Sequence, residues 1–94
     1  MYRIVPSKQF KKDFKRVARS GHFDLSLFNE IVNFLAKGEP LDKRHKDHDL
    51  QGSMKNFREC HLKPDLLLVY KIYQDQLILE LVRLGSHSEL FDGN

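Results

Sequence analysis

The spacing of apolar side chains changes once along this chain, and the change limits the folds that it can adopt. Residues 8–19 and 24–37 carry apolar side chains at intervals of three and four, which is the repeat of an amphipathic helix. Residues 56–62, 66–73 and 76–84 are instead strand-like segments joined by turns of three and two residues. This order predicts a helical hairpin followed by an antiparallel three-stranded meander.

A further strand is predicted near the N-terminus. Residues 2–5 alternate between apolar and polar side chains and stop at Pro6, which cannot continue a ladder of hydrogen bonds. The predicted fold is therefore α+β, of order β-α-α-β-β-β, with two helices covering one face of a mainly antiparallel sheet. A chain of 94 residues is expected to form a single domain, residues 1–94. Residues 39–53 are polar and lack periodicity, and we predict a loop there.

Composition limits the compartment and the cofactors. Cys60 is the only cysteine, which excludes an internal disulfide and a zinc site built from several cysteines, and the reducing cytoplasm is the expected location. No segment resembles a signal peptide or is long enough to cross a bilayer, so we expect no membrane association. His45 and His48, with Asp47 and Asp49, supply only part of a metal-ligand set. We therefore expect no metal site and no cofactor.

The first predicted helix is strongly basic. Residues 8–19 contain six cations and a single anion, Asp13. The cations are Lys8, Lys11, Lys12, Lys15, Arg16 and Arg19. The segment lacks the Glu–Lys pairs that neutralise a merely solvated helix. The excess of cations therefore favours contact with a polyanion over passive solvation. Lys11, Lys12 and Lys15 are the candidate RNA-binding residues.

Histidines in the C-terminal part of the chain are candidates for acid–base chemistry. Four of the five histidines follow residue 44, and they are His45, His48, His61 and His87. Cleavage of RNA without a metal ion needs a base for the ribose 2′-OH, an acid for the leaving 5′-oxygen and a cation for the phosphate. Histidine titrates near neutral pH and can serve in either proton-transfer role. The clustering therefore indicates a possible nuclease site.

Two predicted turns group further candidates with these histidines. His61 is predicted to lie in a strand that a short turn joins to Asp65, so both side chains can reach one end of the sheet. Arg83 and His87 are four residues apart around a glycine, where a phosphate can sit between them. Phe91 follows His87 by four residues and can stack on an unpaired base. Taken singly, a strand histidine is usually packed or solvated, and a C-terminal phenylalanine usually covers the core.

Three motifs in this order resemble the RelE/ParE superfamily of toxins, and most closely its YafQ-like branch. The motifs are His48-x-Leu50-x-Gly52, then Arg58-Glu59-x-His61-x-x-Pro64-Asp65, and then Arg83-x-Gly85-Ser86-His87-x-x-Leu90-Phe91. The resemblance covers nearly the whole chain and implies a small RelE-like domain. It implies a toxin of a type II toxin–antitoxin system, a ribosome-dependent and metal-independent endoribonuclease that cuts mRNA in the A site.

The same resemblance implies the residues of the site and the partners. The implied catalytic residues are His48, His61, Asp65, Arg83 and His87, and Phe91 is implied to contact the substrate. Our hypothesis is that His87 is the general acid and that His61 with Asp65 takes the 2′-OH proton, while Arg83 stabilises the transition state. The assignment of the acid and base roles to His87 and His61 can also be the reverse. The implied partners are mRNA, the ribosome and a cognate antitoxin, with the toxin alone a monomer and the complex a hetero-oligomer.

Two other functions are compatible with parts of the sequence. A ParE-like toxin has a related fold, acts on gyrase and lacks the ribonuclease residues, so the histidine and arginine set argues against it. A basic RNA- or DNA-binding module needs only the cationic helix, and the histidines would then be incidental. Only the endoribonuclease produces a discrete cut in the A-site codon.

Overall fold

The structure is a computed structural model of the 94-residue chain, and it describes residues 1–91. The elements are β1 (Arg3–Pro6), α1 (Lys8–Ala18), α2 (Leu25–Ala36), β2 (His48–Asp49), β3 (Arg58–Lys63), β4 (Leu66–Tyr73), β5 (Ile78–Gly85) and α3 (His87–Leu90). The strands form one sheet in the order β1-β5-β4-β3-β2, antiparallel except for the parallel pair of β1 and β5. The predicted α+β class is confirmed. Residues 92–94 of the expected domain lie outside the described residues.

The two long helices begin where the sequence supplies a capping side chain. Ser7 Oγ accepts a hydrogen bond from the Phe10 N–H at the start of α1, and Asp24 does the same for the Leu27 N–H in α2. Both helices then pack their apolar faces on the sheet. The core residues are Phe10, Val17, Phe28, Ile31, Val32, Leu35, Ala36, Cys60, Leu62, Leu68, Tyr70, Leu79, Leu81 and Leu84. Within residues 1–91 no helix is long and apolar enough to span a membrane.

Two short elements supplement the predicted order. The predicted loop at residues 39–53 contains β2, which pairs His48 with Glu59, together with short 3-10 turns. One turn of helix, α3, follows β5. Strand β1 also includes Pro6, which is tolerated because β1 is an edge strand of the sheet.

The face of the sheet away from the long helices carries two buried apolar side chains. Leu67 and Val69 are 0% exposed but do not belong to the core under the helices. Leu67 lies opposite His61, and Val69 lies between Glu59 and Arg83 in the strand register. Leu67 and Val69 are therefore the apolar floor beneath the polar side chains of this face.

Side chains of α1 and of its N-cap residue, Ser7, complete the hydrogen bonding of β5 where β1 has ended. Ser7 Oγ donates to the Val82 carbonyl at 2.9 Å, and the Leu84 N–H donates to Asp13 Oδ2 at 3.0 Å. Arg16 Nη2 donates to the Leu84 carbonyl at 2.9 Å. These bonds satisfy backbone groups that a buried strand cannot leave unpaired. They also fix the end of β5, from which Arg83 projects, against α1.

Candidate functional site

Three histidines converge on the open face of the sheet. His48 comes from β2 and His61 from β3, and their ring centroids are 6.5 Å apart. His87 begins α3 and brings its ring to 5.6 Å from that of His61. The structure therefore brings together three of the histidines that the sequence predicted for the site. His45 is separate, because its buried ring bonds through Nδ1 to the His61 carbonyl at 2.6 Å and holds the loop against β3.

A buried carboxylate lies between two of these histidines. Glu59 is 5% exposed, and its Oε1 is 3.5 Å from His48 Nε2 and 3.4 Å from His61 Nε2. A carboxylate at these distances stabilises positive charge on either ring. The sequence prediction omitted Glu59 from the site. The signal that could have identified it is the spacing of two along β3, which places Glu59 and His61 on the same face of the strand.

The third histidine has a different carboxylate partner. Asp65 Oδ1 accepts the backbone N–H of His87 at 3.0 Å and lies 2.9 Å from His87 Nδ1. These two hydrogen bonds hold the pKa of Asp65 below its ordinary value. With Nδ1–H donating to Asp65, the Nε2 atom of His87 is left to face a substrate. The hypothesis paired Asp65 with His61, whereas in the structure Asp65 bonds to His87 and Glu59 lies beside His61.

The same atoms form a possible metal-ligand set. One donor atom each from Glu59, His61 and His87 lies within 4.8 Å of the others. Two imidazoles and a carboxylate are ligands that suit zinc and copper. The sequence prediction had considered His45 and His48 for this role and expected no metal site; the geometry groups a different set of residues.

The cation of the site is held by a buried carboxylate on α1. Arg83 is 30% exposed, and its Nε donates to Asp13 Oδ2 at 2.8 Å, while Asp13 is 0% exposed. Burial raises the pKa of Asp13, but hydrogen bonds from Arg83, the Leu84 N–H, Arg16 and Gln9 outweigh it and lower the pKa to about 2. Asp13 therefore stays ionised throughout the pH range in which histidines titrate.

Two charged side chains approach Gly85 closely at the junction between β5 and α3. In the capping box of α3, Glu89 Oε1 accepts the Ser86 N–H at 2.9 Å, and Arg16 Nε lies 3.1 Å from Glu89 Oε2. A Cβ atom on Gly85 would lie 2.8 Å from Glu89 Oε1 and 2.9 Å from Arg16 Nη2. The hydrogen of glycine thus permits the close approach that seats α3, and with it His87, against α1.

The loop that carries His48 is anchored on both sides of that residue. The buried Tyr70 hydroxyl donates to Asp47, and Arg58 Nε donates to the Tyr70 hydroxyl at 3.1 Å. Arg58 also forms ion pairs with Asp47 and Asp49. Burial raises the pKa of Tyr70, so the hydroxyl remains a donor. Because Asp47 and Asp49 flank His48, these contacts fix the backbone on which His48 is presented.

The predicted substrate-binding residues are all open to solvent. Phe91 is 42% exposed and does not cover the core. Lys11, Lys12 and Lys15 are exposed, and none of the three forms an ion pair with another described residue. Arg16, which the sequence grouped with these cations, is instead engaged with Asp13, Leu84 and Glu89.

Comparisons with known proteins find one family along nearly the whole chain. Residues 2–92 match the family described as the bacterial toxin of type II toxin–antitoxin system, YafQ. The mRNA interferase toxin YafQ of Escherichia coli (strain K12) is 38% identical over 89 residues, which are 94% of each chain.

Solved structures agree with this match. A metal-bound toxin from Helicobacter pylori is 55% identical with a TM-score of 0.91, covering 97% of this chain and 100% of that chain. YafQ in the DinJ–YafQ complex of E. coli is 36% identical with a TM-score of 0.83, covering 97% of this chain and 99% of that chain.

Proposed function

Because the chain belongs to the YafQ family of bacterial toxins of type II toxin–antitoxin systems, we propose that it is an mRNA interferase that cuts mRNA in the ribosomal A site without a metal ion. The observation that carries the proposal is the 5.6 Å separation of the His61 and His87 rings, each beside its own carboxylate. Two imidazoles at this distance can serve the attacking and the leaving oxygen of one phosphodiester.

In the proposed mechanism the two histidines have opposite tasks. His61 takes the proton of the ribose 2′-OH, and Glu59 stabilises the imidazolium that results. The 2′-oxygen attacks phosphorus as the bond to the 5′-oxygen breaks, and His87 Nε2 donates a proton to that leaving oxygen. The acid is the imidazolium form of His87, whose Nδ1–H donates to Asp65, and Arg83 stabilises the charge that develops on the phosphate. The products are a 2′,3′-cyclic phosphate and a 5′-hydroxyl.

Substrate and partners are proposed on separate surfaces. The exposed ring of Phe91 stacks on a base of the A-site codon, and His48 completes the polar wall of the site. Lys11, Lys12 and Lys15 bind ribosomal RNA. A DinJ–YafQ toxin–antitoxin complex of E. coli supports a cognate antitoxin as partner. In the proposal this antitoxin silences the toxin in a hetero-oligomer, and the free toxin is a cytoplasmic monomer.

A single-turnover cleavage assay on programmed ribosomes tests the proposed chemistry. Replacing His87 by Ala should slow cleavage by about a hundredfold or more, because the general acid is lost. His22, which is exposed on the turn between α1 and α2, supplies the matched control, and His22→Ala should cleave at the wild-type rate. A change of less than threefold for His87→Ala would reject the acid role. Loss of wild-type cleavage on chelation, at a magnesium level that keeps ribosomes intact, would reject the metal-free reaction.

The role of the basic helix has its own test. Neutralising Lys11, Lys12 and Lys15 together, each to Gln, should weaken ribosome binding and flatten its dependence on salt, because fewer counterions are released. The matched control replaces three exposed lysines outside α1, and these are Lys37, Lys43 and Lys55. An equal effect of both triple variants would show that α1 has no special part in binding.

The cleavage assay also separates the proposal from its alternatives. A ParE-like toxin would inhibit gyrase and leave mRNA uncut, and a basic binding module would retain mRNA without cutting it. Only the proposed enzyme gives a discrete product at the A-site codon, with the 2′,3′-cyclic phosphate end.

A further inference from the structure

Asp13 is a buried anion in an otherwise basic helix. Its carboxylate is 0% exposed and accepts four hydrogen bonds of 3.2 Å or shorter. The donors are Arg83 Nε at 2.8 Å, the Leu84 N–H at 3.0 Å, Arg16 Nη1 at 3.0 Å and Gln9 Nε2 at 3.2 Å. A buried charge is expensive to desolvate, and a pair of this kind is weak evidence for a purely stabilising role.

The geometry of these bonds is directed at the cation of the site. Asp13 engages the Nε side of the Arg83 guanidinium, with a longer contact of 3.4 Å to Nη2. Within residues 1–91, Nη1 of Arg83 donates to no acceptor, so it remains available for a phosphate oxygen. A long side chain fixed at one edge loses less conformational entropy when it meets its ligand.

The same carboxylate also reaches the element that carries His87. Arg16 donates to Asp13 and, with its other nitrogens, contacts the Leu84 carbonyl and the Glu89 carboxylate. Glu89 belongs to the capping box of α3, the helix that starts at His87. Asp13 is thus linked directly to Arg83 and, through Arg16, to α3.

We propose that Asp13 is a positioning residue for RNA cleavage, which holds the Arg83 guanidinium in the orientation that meets the scissile phosphate. Asp13 touches neither substrate nor reacting atoms and acts through Arg83. The inference rests on the proposed function, because it concerns the same reaction.

A double-mutant cycle tests the inference on full-length protein and programmed ribosomes. Asp13→Asn keeps the shape of the side chain and removes its charge, and it should lower the single-turnover rate by about tenfold or more, with ribosome affinity within twofold of wild type. In the Arg83→Ala background the same change should have no further effect, because the residue through which Asp13 acts is already absent. Asp75→Asn, on the exposed turn before β5, is the matched control and should leave the rate unchanged.

Additive effects of Asp13→Asn and Arg83→Ala would overturn the inference, since a merely structural role of Asp13 would lower the rate in both backgrounds.

A second measurement needs no substitution and no ribosome. The Nε–H of Arg83 should exchange with water at least tenfold more slowly than that of Arg44, whose side chain is 72% exposed. Equal exchange rates would show that the carboxylate does not hold Arg83. If the wild type cuts no mRNA, the proposed function fails while the exchange measurement still decides whether Arg83 is held.

Discussion

Replacing Gly85 by Ala should detach α3 from the body of the protein without disturbing the core. The added methyl carbon would lie 2.8 Å from Glu89 Oε1, 2.9 Å from Arg16 Nη2 and 3.2 Å from Leu90 Cδ2. The first two atoms are the ends of flexible side chains, so they can move away. Their movement breaks the hydrogen bonds that close the junction of β5, α1 and α3.

The size of the effect follows from the bonds that are lost. The Glu89 bond to the Ser86 N–H contributes about 1 kcal/mol, and the charge-assisted bond from Arg16 to the Leu84 carbonyl contributes about 1.5–3 kcal/mol. The exposed pair of Arg16 and Glu89 adds roughly 0–1 kcal/mol. The sum, about 2.5–5 kcal/mol, corresponds to a shift of about a hundredfold or more in the equilibrium between the closed and the opened junction of β5, α1 and α3.

Amide hydrogen exchange followed by NMR measures this equilibrium directly. The His87 N–H donates to Asp65 and the Phe91 N–H donates to the His87 carbonyl, and both should exchange about a hundredfold faster in Gly85→Ala. Single-turnover cleavage should fall in parallel, because His87 leaves the site.

Gly21→Ala is the matched control for this substitution. Gly21 has a φ of +82°, and an added methyl carbon there would meet no atom within 4 Å beyond its chain neighbours, so alanine costs roughly 1–2 kcal/mol through backbone strain alone. It should lower the unfolding midpoint and leave exchange at His87 and Phe91 unchanged. Exchange in Gly85→Ala within threefold of wild type would refute the reasoning.

Three further predictions concern acid, metal ions and the carboxylate beside His87. The pKa of Asp13 falls from 3.8 to about 2 on folding, so its stabilisation is present above pH 3.8 and is lost as the pH falls through 2. The lowered pKa is worth about 2.5 kcal/mol at pH 6, and about 2 kcal/mol of this is lost by pH 2, where the carboxyl is half protonated. The difference in unfolding free energy between wild type and Asp13→Asn, measured with urea and circular dichroism, should therefore shrink by about 2 kcal/mol between these pH values, and a constant difference would contradict the prediction. Stoichiometric Zn²⁺ or Cu²⁺ should slow cleavage by binding to Glu59, His61 and His87, and EDTA should restore the rate. Faster cleavage in the presence of the ion would instead point to a metal-dependent reaction. In His87→Ala the pKa of Asp65, followed by carbon NMR, should rise only partway to its ordinary value. The backbone N–H bond from residue 87, which is the larger cause of the lowered pKa, remains in this variant. An unchanged pKa would show that the His87 ring makes no contact with Asp65 in solution.

The secondary structure was predictable where a periodic pattern runs long enough to be seen. Strand β4 has the predicted bounds of residues 66–73, and the capping residues Ser7 and Asp24 located the starts of both long helices. Strand β2 and helix α3, with two and four residues, are too short to show a period. They form because distant groups pair with them, Glu59 with His48 and Asp65 with the His87 N–H.

The site was predictable only in part. The motif resemblance supplied the histidines and Arg83, and the structure adds the carboxylates that accompany them. Asp13 had been counted as the lone anion of a basic helix. Its spacing of three from Phe10 and four from Val17 places it on the apolar stripe of α1, and that spacing was the available signal that it is buried. The local sequence pattern does not identify the partner of this buried charge, because Arg83 is 70 residues away in the chain.

The parallel pair of β1 and β5 joins the first described strand to the last, and Ser7 meets Val82 across 75 residues. A nascent chain is made from its N-terminus, and such distant pairing is slow to form because the intervening chain must be ordered first. Helix α1 therefore emerges long before the strand that it must cover, and Arg83 and His87 are synthesised later still than most of that strand. For an enzyme proposed to cut mRNA on ribosomes, this order of events has a protective result. No active site can exist on the nascent toxin until its own ribosome has translated as far as residues 83–87.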